Sequence, residues 1–254
     1  MPSPLPLALL PVIALHSLLA PAMADPPAGP SLREAYPAPA GFERVDGGDW
    51  GAWLGALTLR DPSVPVRTFD GRVVGHSARV VELPLVPGDL QQCADSLIRL
   101  RSEWLRARGR AVSWHATSGD PLPWSRYAAG ERPVASGNHI TWTRAKAAPT
   151  WEGYLSAVFT WAGTRSLQAY ETLPDTTPEP GDLLVQGGSP GHAVLLLDVA
   201  RRGPDTLLLV GEGFMPAQDF HVELGPEAGW WTWGAGGIDL PSWSFEAAHL
   251  RRWR

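Results

Sequence analysis

The chain has 254 residues, 44% of them hydrophobic, with 21 Lys and Arg against 26 Asp and Glu and a formal net charge of -5. That composition supplies a core and argues against wholesale disorder, and no basic stripe of the kind that grips phosphate backbones accompanies it, so nucleic acid is not expected as a partner. One cysteine only, Cys93, excludes an intramolecular disulfide and leaves stability to packing.

In chain order, residues 1–24 carry no charged side chain and end in Ala22-Met23-Ala24, which reads as a secretory signal peptide with its cleavage site. Its apolar run is broken by Pro6, Pro11 and His16 and falls short of the ~20 residues of a spanning helix. No membrane span is therefore expected after cleavage, and the mature chain is expected to be secreted or periplasmic. Residues 25–41 read as a proline-rich linker and 42–254 as a single globular domain. Within it, Trp50 to Leu57 reads as a short helix and 80–85 as a strand. The clearest helix follows Asp89, whose spacing of three from Gln92 predicts an N-terminal cap. Leu90, Cys93, Leu97, Leu100 and Trp104 then recur every three or four residues, which places Cys93 about one turn inside the helix.

Short strands are expected at 111–117 and 138–144, and a second helix from Trp151 that restarts after Gly163. The β-rich runs 181–187, 192–200, 206–212 and 219–224 are separated by short turns, which favours antiparallel neighbours. A Gly- and Trp-rich loop leads to an expected last helix from Trp243 to Arg252. The fold class that follows is α+β: an antiparallel sheet packed on the core helix that bears Cys93.

Four segments, DLQQCADSLIRLR, VFTWAGTRSL, GGSPGHAVLLLDVA and FMPAQDFHV, resemble the domain-of-unknown-function family 4846, which is common in secreted and lipid-anchored bacterial proteins. That resemblance implies a fold-level neighbourhood and no reaction. The order of elements is also similar to the NlpC/P60 and papain-like thiol hydrolases: a Cys near the start of a core helix, then Pro180-Gly181-Asp182 leading a strand, then Gly191-His192 opening the next. This resemblance implies a papain-like arrangement with Cys93 as nucleophile and His192 as base. It departs from that pattern at Gln92-Cys93-Ala94, where such hydrolases usually carry Asp-Cys-Ser.

The chemistry requires a thiolate, which a neighbouring imidazole and a helix N-terminus favour, and a third polar group to orient the imidazole. A hairpin closed around Gly203 would set Val194 opposite Glu212, on the face of His192, which makes Glu212 the candidate orienter. Family resemblance implies glutamine there; either residue accepts the imidazole hydrogen bond. The Cys93 amide, Gln91 and Gln92 are the candidate oxyanion donors. The expected function is a secreted thiol-dependent hydrolase of amide bonds in a peptide or cell-wall peptide.

The alternative is a noncatalytic cell-envelope protein that binds glycan or protein through indole faces. Of the 13 tryptophans, Trp230, Trp231 and Trp233, set among glycines, are the candidates for an exposed platform. His192, Asp198, Asp219 and His221 carry metal-ligand chemistry, but no HExxH or CxxC spacing supports them. No metal and no cofactor is expected.

Overall fold

The computed structural model of the protein describes residues 29–75 and 78–254. The signal peptide expected over 1–24 and the start of the linker lie outside the described residues. The rest of the expected linker is part of the packed domain, which therefore starts well before Phe42. Leu32 and Tyr36 are buried in the core, and Leu32 N donates to Leu57 O at 2.8 Å.

Nine strands form one antiparallel sheet: β1 (Glu43–Arg44), β2 (Ala78–Val80), β3 (Thr172–Pro174), β4 (Leu183–Gln186), β5 (His192–Arg202), β6 (Asp205–Glu212), β7 (His221–Glu223), β8 (Trp231–Trp233) and β9 (Leu250–Trp253). The order across the sheet is β2-β7-β6-β5-β4-β9-β3. The long β5–β6 hairpin is its spine: β4 and β1 share the outer edge of β5, and β7 and β8 share that of β6. Short connections join β4, β5, β6 and β7 in succession and give their antiparallel pairing, as the turn-rich sequence predicts, while β1, β2, β3 and β9 join the sheet from distant parts of the chain.

Three helices of two turns or more are described: α1 (Gly48–Gly55), α2 (Cys93–Ala107) and α3 (Trp151–Trp161). α2 lies against β5 and buries Leu97, Leu100 and Trp104 against Leu195 and Leu197 of the sheet. The opposite sheet face, with Val194, Leu196, Leu208 and Val210, is covered by Ile238, Leu240 and Phe245 of the C-terminal segment. The sheet thus lies between a helical layer and a layer of irregular chain, which is the α+β class expected.

Two expectations are corrected. The last helix is not formed: only Ala247–His249 turns, as a 3-10 segment, and Leu250–Trp253 is strand. The pattern there is overridden by the vacant edge of β4, where Leu250 pairs with Leu184 and Arg252 with Leu173 of β3. The main helix starts at Cys93 and not near Asp89. Asp95 Oδ2 accepts from Gln92 N at 3.1 Å, while Asp89 Oδ1 is engaged by Ala217 N at 2.7 Å.

Candidate active site

The helical layer and the C-terminal layer meet at the end of the sheet where β5 begins. Cys93 is the first residue of α2. It is 7% exposed and lines a cleft of about 390 Å³ with Gln92, Ala94, Asp95, Gly163, Thr164, the loop Gly188–Gly191 and Met215. At the first helical position its own amide and that of Ala94 have no partner within the helix, and the positive end of the dipole acts at full strength. The corrected helix start therefore moves Cys93 from a weak position to the strongest one.

His192 opens β5 and is 1% exposed. Its ring stacks on Phe245 and is met edge-on by Phe214 at 5.1 Å. Nε2 lies 2.7 Å from Glu212 Oε2, which leaves Nδ1 as the nitrogen available to the Cys93 thiol. Burial, the largest single influence, disfavours the imidazolium; hydrogen bonding to Cys93 and to Glu212, with the charge of both, outweighs it and raises His192 to about 9. The imidazole is thus held by Glu212 through Nε2, with Cys93 near enough to influence its charge.

Glu212 reaches His192 because of an irregularity. The hairpin turn pairs Arg202 with Asp205, but the register shifts by one between Leu209 and Val210, with Leu197 the extra residue on β5. Beyond the bulge Gly211 faces Leu195, and the next pair sets Glu212 opposite Val194, on the face of His192. An unbulged hairpin would turn Glu212 to the other face. The Ser242 hydroxyl donates to Glu212 Oε2 at 2.9 Å, so the orienting carboxylate is itself held.

Behind Glu212, His221 Nε2 lies 3.8 Å from Glu212 Oε1 and 3.4 Å from Glu223 Oε2, and its Nδ1 donates to Asp219 O at 2.9 Å. Among the described residues, Glu212, His221 and Glu223 are the group whose ligand atoms converge closely enough to share a cation. Of the four residues considered for a metal from the sequence, His221 alone belongs to it. Asp198 pairs instead with Arg44, and Asp219 with Arg60 at 3.4 Å and the Arg67 amide at 2.9 Å. His192, on Glu212, is outside the converging trio.

The oxyanion candidates separate. Gln91 is buried away from the cleft, its Oε1 accepting from Arg99 Nη1 at 2.9 Å. Gln92 lines the cleft, with its Nε2 donating to Asp89 Oδ1 at 3.2 Å. The backbone amides of Cys93 and Ala94 are the donors positioned at the helix start. Sequence reasoning missed Asp95, which lines the same cleft. Burial pushes it up to about 8 against the amides of Gln92 and of its own residue, which favour the carboxylate. Its position three after Gln92 was the available signal, a capping acid read one motif too early.

The expected tryptophan platform is not presented. Trp230 is 0% exposed, with its indole N–H on Pro37 O at 3.2 Å. Trp231 and Trp233 are half-buried against the second core cluster, and Trp231 Nε1 donates to Glu223 O at 2.9 Å. Gly229, at φ 97°, turns the chain back so that Trp230 points inward.

The model of a family described as a domain of unknown function (4846) matches residues 32–252. No curated protein and no solved structure matches the chain, so the comparisons carry no NlpC/P60 or papain-like assignment.

Proposed function

The chain belongs to the domain of unknown function 4846 family, and we propose that it is an exported thiol-dependent hydrolase of amide bonds in peptides or cell-wall peptides. Cys93 is the nucleophile, His192 the base and Glu212 the orienter, in a papain-like arrangement. The observation that carries this reading is the buried imidazole held by Glu212 on Nε2 and partnered by a thiol that begins a 15-residue helix on an open cleft.

The chemistry follows from those contacts. His192 takes the Cys93 proton, and the sulfur attacks the substrate carbonyl, forming a C–S bond while the carbonyl π electrons move to oxygen. The amides of Cys93 and Ala94 hold that oxyanion. As the C–N bond breaks, the imidazolium gives its proton to the leaving amine, and a thioester remains. Water, deprotonated by His192, attacks the thioester; the acid leaves and the thiol is restored. Glu212 holds the ring so that Nδ1 faces sulfur throughout, and its charge favours the imidazolium.

The test is digestion of a cell-wall peptide mixture followed by mass spectrometry of new amino termini. Termini formed by the wild type and absent with Cys93→Ala support the reading. Termini formed equally by Cys93→Ala would overturn it. The second reading, a tryptophan-based binding surface, has less support, with Trp230 buried and Trp231 and Trp233 half-buried.

A further inference from the structure

Next to the nucleophile's cleft is a second cavity of about 360 Å³, lined by Arg165, Gln168, Gly187, Gly188 and Arg251 among others, with no carboxylate among its lining residues. The two cavities share Gly188, so a chain lying in one continues into the other. The shared wall is bare backbone fixed in place. A methyl group on Gly188 would sit 2.3 Å from Pro190 O, and one on Gly191 would sit 2.6 Å from Gly188 N.

Arg251 is a built feature of this cavity. Its Nε donates to Thr172 Oγ1 at 2.7 Å and its Nη2 to Gln168 O at 2.7 Å, which fixes the guanidinium plane and leaves Nη1 for another acceptor. Burial, and then the nearby charge of Arg254, disfavour the Arg251 cation. An anion would relieve both effects. Arg165 is exposed on the same cavity. Two planar guanidiniums over a carboxylate-free hollow match a carboxylate ligand in charge and in fork geometry.

We infer that the cavity of Arg165 and Arg251 is a subsite for a carboxylate of the substrate, so that the hydrolase of the preceding subsection, on which this inference rests, acts on acidic peptides whose carboxylate side runs over Gly188. The scissile carbonyl would lie at Cys93 and the carboxylate beyond Gly188, with the loop 187–191 as the wall between them.

Charged and neutral thiol reagents test this without a known substrate. The rates of Cys93 with dianionic dithiobis(nitrobenzoate) and with neutral dithiodipyridine are measured in the wild type, Arg165→Ala and Arg165→Glu. The ratio of the dianionic to the neutral rate should fall by about tenfold in Arg165→Glu and by less in Arg165→Ala, with the neutral rate unchanged. A peptide with a free carboxylate should also slow both reagents in the wild type more than its amide does. A ratio equal in all three proteins overturns the subsite and leaves the thiol site standing. A thiol that reacts with neither reagent overturns the hydrolase reading and the subsite with it.

Discussion

Strand β5 carries two acid–base pairs, one at its start and one in its middle, and the two behave differently. At its start His192 meets Glu212; further along, Asp198 meets Arg44. Arg44 also donates to Arg33 O at 3.1 Å and to Tyr36 O, and lies 5.7 Å from the Trp230 ring centroid, while Asp198 Oδ1 accepts from Val199 N at 2.9 Å. The two charges there face each other, and neither residue lines the cavities described above. At His192 one ring nitrogen is consumed, and the other is left for the neighbouring Cys93, which lines a cleft. A buried ion pair is thus a poor marker of a site; a buried pair left with a reactive third member beside open space is a better one.

The comparison can be broken at either pair. The largest effect is expected at the mid-strand pair, where Asp198→Ala leaves the largely covered Arg44 without its partner. It should cost about 3–5 kcal/mol of stability in urea unfolding, with the thiol reactivity of the folded fraction unchanged. A loss of thiol reactivity in that variant would mean that the two pairs are not independent.

Next in size is the pH dependence. His192 rises from 6.5 to about 9 on folding, so the folded state holds its proton more tightly. Its contribution to stability is fully present below pH 6.5 and is lost as pH rises through about 9, by at most about 3 kcal/mol. Asp95, raised from 3.8 to about 8, has the same sign, with its contribution lost as pH rises through about 8. Urea unfolding from pH 6 to pH 10 should therefore show stability falling on the alkaline side. Asp95→Asn and His192→Gln should each flatten part of that slope, and a slope unchanged in both variants would contradict the assignment.

Glu212→Gln should give the smallest effect, because the amide oxygen still accepts from Nε2 and only the charge is lost. The difference between a charged and a neutral hydrogen bond is about 1 kcal/mol, or about a fivefold slower alkylation of Cys93. A drop of several hundredfold would show that the Glu212 charge, more than its hold on the ring, governs the site.

Much of this site was legible in the sequence, though one part of it for an incomplete reason. Cys93 and His192 stand out by residue type and by the elements they open. Glu212 was placed by assuming a hairpin centred on Gly203, whereas the turn pairs Arg202 with Asp205 and the bulge at Leu209/Val210 restores the register. A bulge leaves no periodic trace in a run as uniformly apolar as Ala193–Leu197. The helix start was misplaced because two capping motifs overlap, Asp89-x-x-Gln92 and Gln92-x-x-Asp95, and only tertiary contact with Ala217 decides between them. The C-terminal strand and the inward turn of Trp230 are long-range outcomes. The first is imposed by the edge of β4 and the second by Pro37 and Arg44, and local sequence reports neither.

The central claim, that His192 activates Cys93, is tested most directly by iodoacetamide alkylation of the folded protein at pH 7, in the wild type and in His192→Ala, followed by mass spectrometry of the modified thiol. The account predicts a wild-type thiol that reacts readily while folded and reacts about 100-fold more slowly without the imidazole. A thiol that reacts only after unfolding in urea, or at the same rate in both proteins, would contradict it.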